Sequence, residues 1–378
     1  MPLDNVDLAF WSIMSLSVIM PNFNHASLIS RALRALVEQV PAAAEIIVID
    51  DASTDNSVEI IRSFQNAHPE IHLLRHDRNR GTAAAIQTGI DASSSEYLLF
   101  NAADDFVLPG LFANAVTALE ANPAAAFFCS DVAIIDRDGV VVAVRPFMAP
   151  CVRSLYISPA NVRLLFRSSD NWFIGPSVIY RREPLSRVEY FDQALGSLGD
   201  AMTIRLLAFR YGFYYAPQIL AACSIAPDTF SSRSALSLTE SGRLIEASAH
   251  YIEQRFPADA RESYARLFDR RLRFGMARLW IVWQKGRLDG DAIAQLLGLG
   301  PFDRVLLRAA SRTRFLSSLL VLVWMTLRTR PFGTLAVLKA TFRHARYDRS
   351  RRAHAENIVC GSLRERREPR GSAAVHPN

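Results

Sequence analysis

Glu45-Ile46-Ile47-Val48-Ile49-Asp50-Asp51-Ala52-Ser53-Thr54-Asp55 is an apolar strand that runs straight into carboxylates and hydroxyls. Tyr97-Leu98-Leu99-Phe100-Asn101-Ala102-Ala103-Asp104-Asp105 repeats the arrangement. A continuous apolar run is what a strand needs when both faces of its sheet are covered. Carboxylates at its end stand at the sheet edge, where they can meet a ligand and a hard cation. Working outward, strand and helix patterns alternate. Leu16–Met20 is a strand stopped by Pro21, and Ala26–Val40 carries Leu28, Ile29, Leu33, Leu36 and Val37 at helical spacing. Ser53 or Thr54 is expected to cap a helix with Val58, Ile60, Ile61 and Phe64 on its apolar side. Ile71–Leu74 and Glu96–Phe100 are further strands, while Thr82–Ala92 and Pro109–Glu120 are helices, the latter with proline near its start. This alternation predicts an α/β fold, a mostly parallel sheet flanked by helices, with ligands bound outside the carboxyl ends of the strands.

The texture changes after Phe127–Cys129. Asp131–Arg145 reads as a hairpin turning at Arg137-Asp138-Gly139, Val162–Phe166 as a short helix, Gly175–Tyr180 as a strand and Leu198–Tyr211 as a helix ended near Gly212. From about Leu236 helix follows helix, which places a boundary near residues 228–236. The expected organisation is a first domain over 1–235, with halves of about 16–130 and 131–235. A helical extension over 236–345 follows, then a basic, flexible tail over 346–378.

The 378 residues are 50% hydrophobic, ample for a large core. Charge is uneven: residues 1–300 carry a net −5 and residues 301–378 a net +11. Such a basic end can meet nucleic acid or an anionic membrane, or be a solvated tail. Phe315–Leu327 is mostly apolar and flanked by Arg312, Arg314, Arg328 and Arg330. Its 13 residues fall short of the ~20 needed to span a bilayer. With Phe332–Leu338 it reads as a buried core helix or as a peripheral contact with an anionic membrane through residues 312–352. The four cysteines form no CxxC pair, so a reducing cytoplasm is the expectation, and no signal peptide is evident. His68, His72 and His76 lack cysteine partners and read as solvated rather than metal-binding. No G-x-S-x-G, Walker A or zinc spacing appears.

The ordered set Pro21-Asn22-Phe23-Asn24, the Glu45–Ser57 segment, Asn79-Arg80-Gly81 and Tyr97–Gly110 resembles the inverting family 2 glycosyltransferases over roughly residues 16–220. That resemblance implies a GT-A type nucleotide-diphospho-sugar transferase fold for the first domain. It implies that Pro21, Asn22, Phe23 and Asn24 line the nucleotide pocket, that Asp51 with Asp50 behind it faces the base and ribose, and that Arg80 approaches the base or diphosphate. Asp104 would contact ribose or diphosphate, and Asp105 would hold Mn²⁺ or Mg²⁺. Asn171-Trp172-Phe173-Ile174-Gly175 is similar to the acceptor-side segment, with Trp172 and Gly175 as candidates. Asp200, opening the helix after Gly199, corresponds to the catalytic base, and a carboxylate at a helix start is held by free N–H groups. The partners implied are a nucleotide-sugar donor, UDP-linked, and a glycan or lipid-linked acceptor at the inner face of the cell membrane, with no nucleic acid. The setting would be bacterial cell-envelope or extracellular polysaccharide biosynthesis.

Two positions depart from the family pattern. Ala102 stands where an upstream aspartate is usual, and Ile86-Gln87 where Arg-Asn is usual, so no donor contact is assigned to that helix. Alternatives therefore stay open. Each aspartate pair taken alone can cap a helix or close a turn, and Asp200 can be a plain N-cap. Asp192 reads as a turn residue. A non-catalytic nucleotide-sugar-binding scaffold is a second reading. A nucleotidyltransferase is a third, and it would want a Gly-rich signature where Pro21–Asn24 stands.

Overall fold

The computed structural model describes residues 13–136, 138–146, 149–168, 170, 173, 175–188, 190, 192–225, 234, 236–283, 289–311, 317–331 and 350–362. Its centre is a ten-stranded sheet. β1 (Ile13–Asn22), β2 (Ala42–Asp50), β3 (Ile71–Arg75) and β4 (Tyr97–Phe100) form the first half, all parallel, in the order β3-β2-β1-β4. They are joined by α1 (Ala26–Val37), α2 (Ser57–Ala67) and α3 (Thr82–Ala92). The second half contains β5 (Phe106–Val107), α4 (Leu111–Ala121), β6 (Phe127–Ile135), β7 (Val141–Arg145), β8 (Leu155–Ile157) and α5 (Pro159–Phe166). It continues with β9 (Ile179–Arg181), α6 (Arg182–Ser186), α7 (Gly199–Tyr211) and β10 (Phe213–Ser224). β6 and β10 pair in parallel, but β9 enters antiparallel between β4 and β6, and β5, β7 and β8 pair antiparallel at the margins. Parallel pairing therefore holds for the first half and for β6–β10.

Alternation along the strands makes two cores. Val18, Met20, Ile46 and Val48 pack with α1 and α4 on one face, while Ile19, Ile47 and Ile49 pack with α3, α5 and α7 on the other. α3 lies so close that a Cβ on Gly89 would sit 2.4 Å from Ile19 Cγ2, so glycine sets that spacing.

Several local expectations are corrected. The segment 175–181 begins as a 3₁₀ turn, Gly175–Ser177, before β9. β10 has no counterpart in the sequence reading, because Pro217 sits in its middle. The register with β6 shifts on both sides of Ile219, and that bulged stretch keeps the missing N–H out of the ladder.

Five helices follow: α8 (Leu238–Arg255), α9 (Ala258–Trp283), α10 (Gly290–Leu296), α11 (Pro301–Ser311) and α12 (Ser317–Thr329). α8 and α9 share the core of the α/β body, while α10, α11 and α12 pack with them around a separate apolar cluster. Tyr251, Phe256, Tyr264 and Phe268 are buried with Phe166 and Phe209, the Phe256 and Tyr264 rings stacking at 5.5 Å. The chain then returns. Residues 350–362 are helical, with Ala355 and Val359 buried beside Val141 and Val144. Arg351 forms a buried ion pair with Asp131 of β6, which also accepts from the Tyr215 hydroxyl, and Arg352 Nη2 donates to Val141 O at 3.1 Å. The expected flexible tail over 346–378 is thus corrected for 350–362, which is docked; residues 346–349 and 363–378 lie outside the described residues.

Arg351→Ala removes the cationic partner of the buried Asp131 carboxylate. It is expected to lower stability by about 3–5 kcal/mol, read from the urea midpoint. Asp131→Asn combined with Arg351→Met, which leaves no buried charge, is expected to cost less than Arg351→Ala alone.

Candidate functional site

At the carboxyl ends of β1 and β2, two loops are stitched together. Asp50 is fully buried; it accepts from Asn22 Nδ2 at 3.0 Å and Ser53 N at 3.1 Å. Ser53 Oγ accepts from Asn22 Nδ2 and from Asn24 N, at 3.1 and 3.0 Å, and Asn24 Oδ1 accepts from Thr54 N at 2.8 Å. The hydroxyls expected to cap α2 are therefore committed to the Pro21–Asn24 turn. Asp55, one residue before the Asn56 N-cap, binds the first amides of both helices, accepting from Ser57 N of α2 at 3.0 Å and from Ala26 N of α1 at 2.9 Å. Ala52 between them has φ of 63°. A left-handed alanine costs roughly 1–3 kcal/mol and persists because its neighbours are tied down.

Asp51 is buried and faces the 76–81 turn. Its Oδ1 accepts from Arg80 N at 2.9 Å and contacts His76 Nδ1 at 2.6 Å, and its Oδ2 accepts from Gly81 N at 2.7 Å. His76 Nε2 reaches Thr88 Oγ1 at 3.0 Å. The His76 side chain is 5% exposed, which corrects its reading as solvated: it is a strut between Asp51 and α3. Pro21 is half-buried and Asn22 buried, while the Phe23 ring is 41% exposed beside these loops.

Asp104 and Asp105 follow β4. Asp105 is buried and its Oδ1 accepts from Ser224 N at 2.8 Å; Asp104 O accepts from Ser224 Oγ at 2.7 Å and Arg31 Nη2 at 2.9 Å. Burial first, then the Asp104 charge, pushes the Asp105 carboxyl well above the usual carboxylate range, and Arg31 only partly opposes this. The Arg31 guanidinium lies over the Phe106 ring at 4.6 Å. Among the described residues no three His, Cys, Asp or Glu side chains converge into a closed metal site. An open site is a different matter. Two adjacent carboxylates with a single nearby guanidinium carry surplus negative charge, and Mg²⁺ or Mn²⁺ takes one or two carboxylates plus phosphate oxygens. Asp104 and Asp105 fit that role, while Ala102 adds no ligand.

Asp200 comes from 95 residues further along the chain. It lies in the first turn of α7, whose N-cap is Leu198, so it is not the cap residue. Its Oδ1 accepts from Ala201 N at 2.6 Å, and burial raises its carboxyl above the ordinary 3.8. A Cβ on Gly175 would lie 3.8 Å from Asp200 Oδ2, so Gly175 borders this carboxylate. Trp172 lies outside the described residues. The half-buried thiol of Cys223 in β10 is pushed well up by burial and then by the charges of Asp105, Asp104 and Asp200.

Residues 17–188 match the family model "Glycosyl transferase family 2". These residues form a family 2 glycosyltransferase domain. Among curated relatives, the uncharacterized glycosyltransferase YibD of Escherichia coli (strain K12) is 39% identical over 102 residues, 27% of this chain and 29% of that protein. The succinoglycan biosynthesis protein ExoU of Rhizobium meliloti is 38% identical over 93 residues, 25% of this chain and 27% of that protein. The chain thus spans under a third of either relative's length. Two solved structures share the fold. Staphylococcus aureus TarS 1-349 in complex with UDP-GlcNAc has a TM-score of 0.55 and 17% identity, covering 81% of this chain and 89% of that one. The mannosyltransferase PcManGT of Pyrobaculum calidifontis, in complex with GDP-Man and Mn²⁺, has a TM-score of 0.51 and 18% identity, covering 93% and 89%.

Within the family 2 domain and the segment that follows it, a cavity of about 470 Å³ runs along α3. Arg80, Ala84, Gln87 and Thr88 line one side, and Tyr190, Asp192 and Gln193 the other. The sequence reading assigned this helix no ligand role and left out Tyr190 and Gln193. Nothing in local spacing brings Tyr190, Asp192 and Gln193 against α3. Asp192 does act as the expected turn residue, accepting from Ala194 N at 2.9 Å.

The Asp51 clamp makes a prediction. Asp51→Ala removes the acceptor of Arg80 N, at about 1–3 kcal/mol, and one of two acceptors of Gly81 N, which also reaches Asn79 Oδ1 at 3.1 Å. Hydrogen exchange at the Arg80 and Gly81 amides is expected to accelerate by about tenfold or more. His76→Ala should accelerate the same two amides less, since both keep their acceptor.

Proposed function

We propose that this protein is an inverting glycosyltransferase. It moves a sugar from a nucleotide-diphosphate donor, UDP-linked, to a hydroxyl of a glycan or lipid-linked acceptor. The observation that carries the reading is the Asp104-Asp105 pair, held against Ser224 of β10 just past the end of β4, in a chain whose residues 17–188 match the family 2 model. The catalytic domain is taken as residues 1–235, with the nucleotide side before residue 130 and the acceptor side after it.

The roles follow from position. The Pro21–Asn24 turn and Phe23 border the base. Asp51 acts through the 76–81 turn, holding Arg80 where its guanidinium meets the base or diphosphate. Asp105 would hold Mn²⁺ or Mg²⁺, with Asp104 beside it toward the ribose or diphosphate; the cation, when bound, would neutralise charge on the leaving diphosphate. Asp200 accepts the acceptor's hydroxyl proton as that oxygen attacks the anomeric carbon opposite the diphosphate, which inverts the centre. Its burial makes it a stronger base than a solvated aspartate. ExoU's name points to polysaccharide synthesis, which we take as the setting, at the cytoplasmic face of the cell membrane. A non-catalytic binding role is the second reading, favoured by Ala102 and by Ile86-Gln87.

A panel of UDP- and GDP-sugars with Mn²⁺ is expected to raise the melting temperature for at least one UDP-sugar, with turnover of that donor. Asp200→Asn should lower kcat by about 10²–10⁴ while leaving donor stabilisation intact. Donor binding without turnover on any acceptor would favour the scaffold; no metal-dependent UDP binding would sink the proposal. pH supplies a second check. Asp200 must be deprotonated, so kcat is expected to fall on the acid side, with a midpoint above the ordinary aspartate value of 3.8. A wild-type acid limb at or below that value would mean that burial does not raise the Asp200 carboxyl in the working enzyme.

A further inference from the structure

α11 is amphipathic in the wrong direction for a packed helix. Phe302, Val305 and Leu306 lie on one stripe at i, i+3, i+4 spacing, and they are 74%, 62% and 43% exposed. Asp303 and Leu307 are the buried positions instead. On α12, Val323 and Leu327, one turn apart, are 49% and 64% exposed, while Val321 and Met325 pack inward. Arg328 Nη2 lies 3.4 Å from Asp303 Oδ2, which places the end of α12 beside the start of α11. An ordinary soluble surface scatters its apolar side chains singly, whereas a gathered set marks a contact site.

Charge identifies the partner. Residues 301–331 hold six arginines and one acidic residue, Asp303. Arg304, Arg308, Arg328 and Arg330 are exposed on or next to these two helices, Arg308 in an ion pair with Asp291 of α10 at 2.8 Å. An apolar stripe rimmed by arginine is the pattern of a helix lying in a membrane interface. Lipid phosphates supply the complementary charge, at about 1 kcal/mol per Arg near the surface. A second copy is a poor fit, because a two-fold contact would set like-charged rims face to face. Among the described residues no helix is long and apolar enough to cross a bilayer, so the contact is peripheral.

We propose that the exposed face of α11 and α12 docks on an anionic lipid surface, with Phe302, Val305 and Leu306 entering the interface and the surrounding arginines meeting lipid phosphates. The sequence reading placed a membrane contact in residues 312–352. Of that range, 312–316 and 332–349 lie outside the described residues, and the α11 stripe lies upstream of it. The inference is independent of the catalytic proposal.

The test is co-sedimentation of the full chain with vesicles of phosphatidylglycerol mixed with phosphatidylcholine, against pure phosphatidylcholine, at low and high salt. Binding is expected to the anionic vesicles alone and to weaken with salt. Phe302→Ser/Val305→Ser/Leu306→Ser and, separately, Arg304→Glu should each weaken it by about tenfold or more. All three apolar side chains are solvent-exposed, and an unchanged melting temperature verifies that the variant folds. Failure of the wild-type chain to bind anionic vesicles would overturn the proposal. So would a triple variant that binds as well as wild type. So would concentration-dependent self-association, without vesicle binding, that the triple variant abolishes, which would make this face a contact between copies.

Discussion

The Asp51 carboxylate accepts from the amides of Arg80 and Gly81 and contacts His76, and much of the first half of the molecule is arranged around it. A buried anion at a sheet edge is costly unless donors converge on it. Here the donors come from the turn between β3 and α3, so burying one charge also sets the shape of that turn. Its neighbour Asp50 does the same for the Pro21–Asn24 turn through Asn22 and Ser53. Two adjacent carboxylates thus tie both flanking loops to β2, and Ala52 is held left-handed between them.

The second group of acids sits in a different environment. Asp105 is buried beside Asp104, with Arg31 as the nearby cation, and its carboxyl holds its proton more tightly than usual. That imbalance suits a place for a divalent cation and phosphates more than a structural anchor. Asp200 depends on support from the helical extension. One turn below it, Arg205 donates to Asp170 O at 2.8 Å, and Asp170 Oδ2 accepts from Tyr264 of α9 at 2.6 Å. Arg271 lies 3.2 Å from Asp170 Oδ1. Helices outside the family 2 match therefore brace the helix that carries the proposed base.

Legibility followed local physics. β1 to β4 could be read because each is a short apolar run closed by a turn signal, and the first three helices because their apolar spacing is intact. β10 could not, since Pro217 argues against a central strand until a bulge is seen to accommodate it. β5 is two residues long and exists through its pairing with β10. Ser53 and Thr54 read as caps because hydroxyls before a helix usually are; instead Ser53 Oγ accepts from Asn22 Nδ2 and Asn24 N, and the Thr54 hydroxyl donates to Asn24 Oδ1. His76 lost its solvated reading for a similar reason: its partners, Asp51 and Thr88, lie 25 and 12 residues away.

By itself, the amino-acid sequence determined the alternating α/β plan, the two acidic strand ends and the resemblance to family 2 glycosyltransferases. All three rest on periodicity and short motifs, which are local. Only the tertiary structure decided that Asp51 clamps the 76–81 turn, that Asp105 is tied to β10, and that residues 350–362 of the basic end return as a docked helix. It also decided that the apolar stripe of α11 faces outward. Those outcomes depend on which distant groups satisfy a buried charge, and no local pattern encodes that choice.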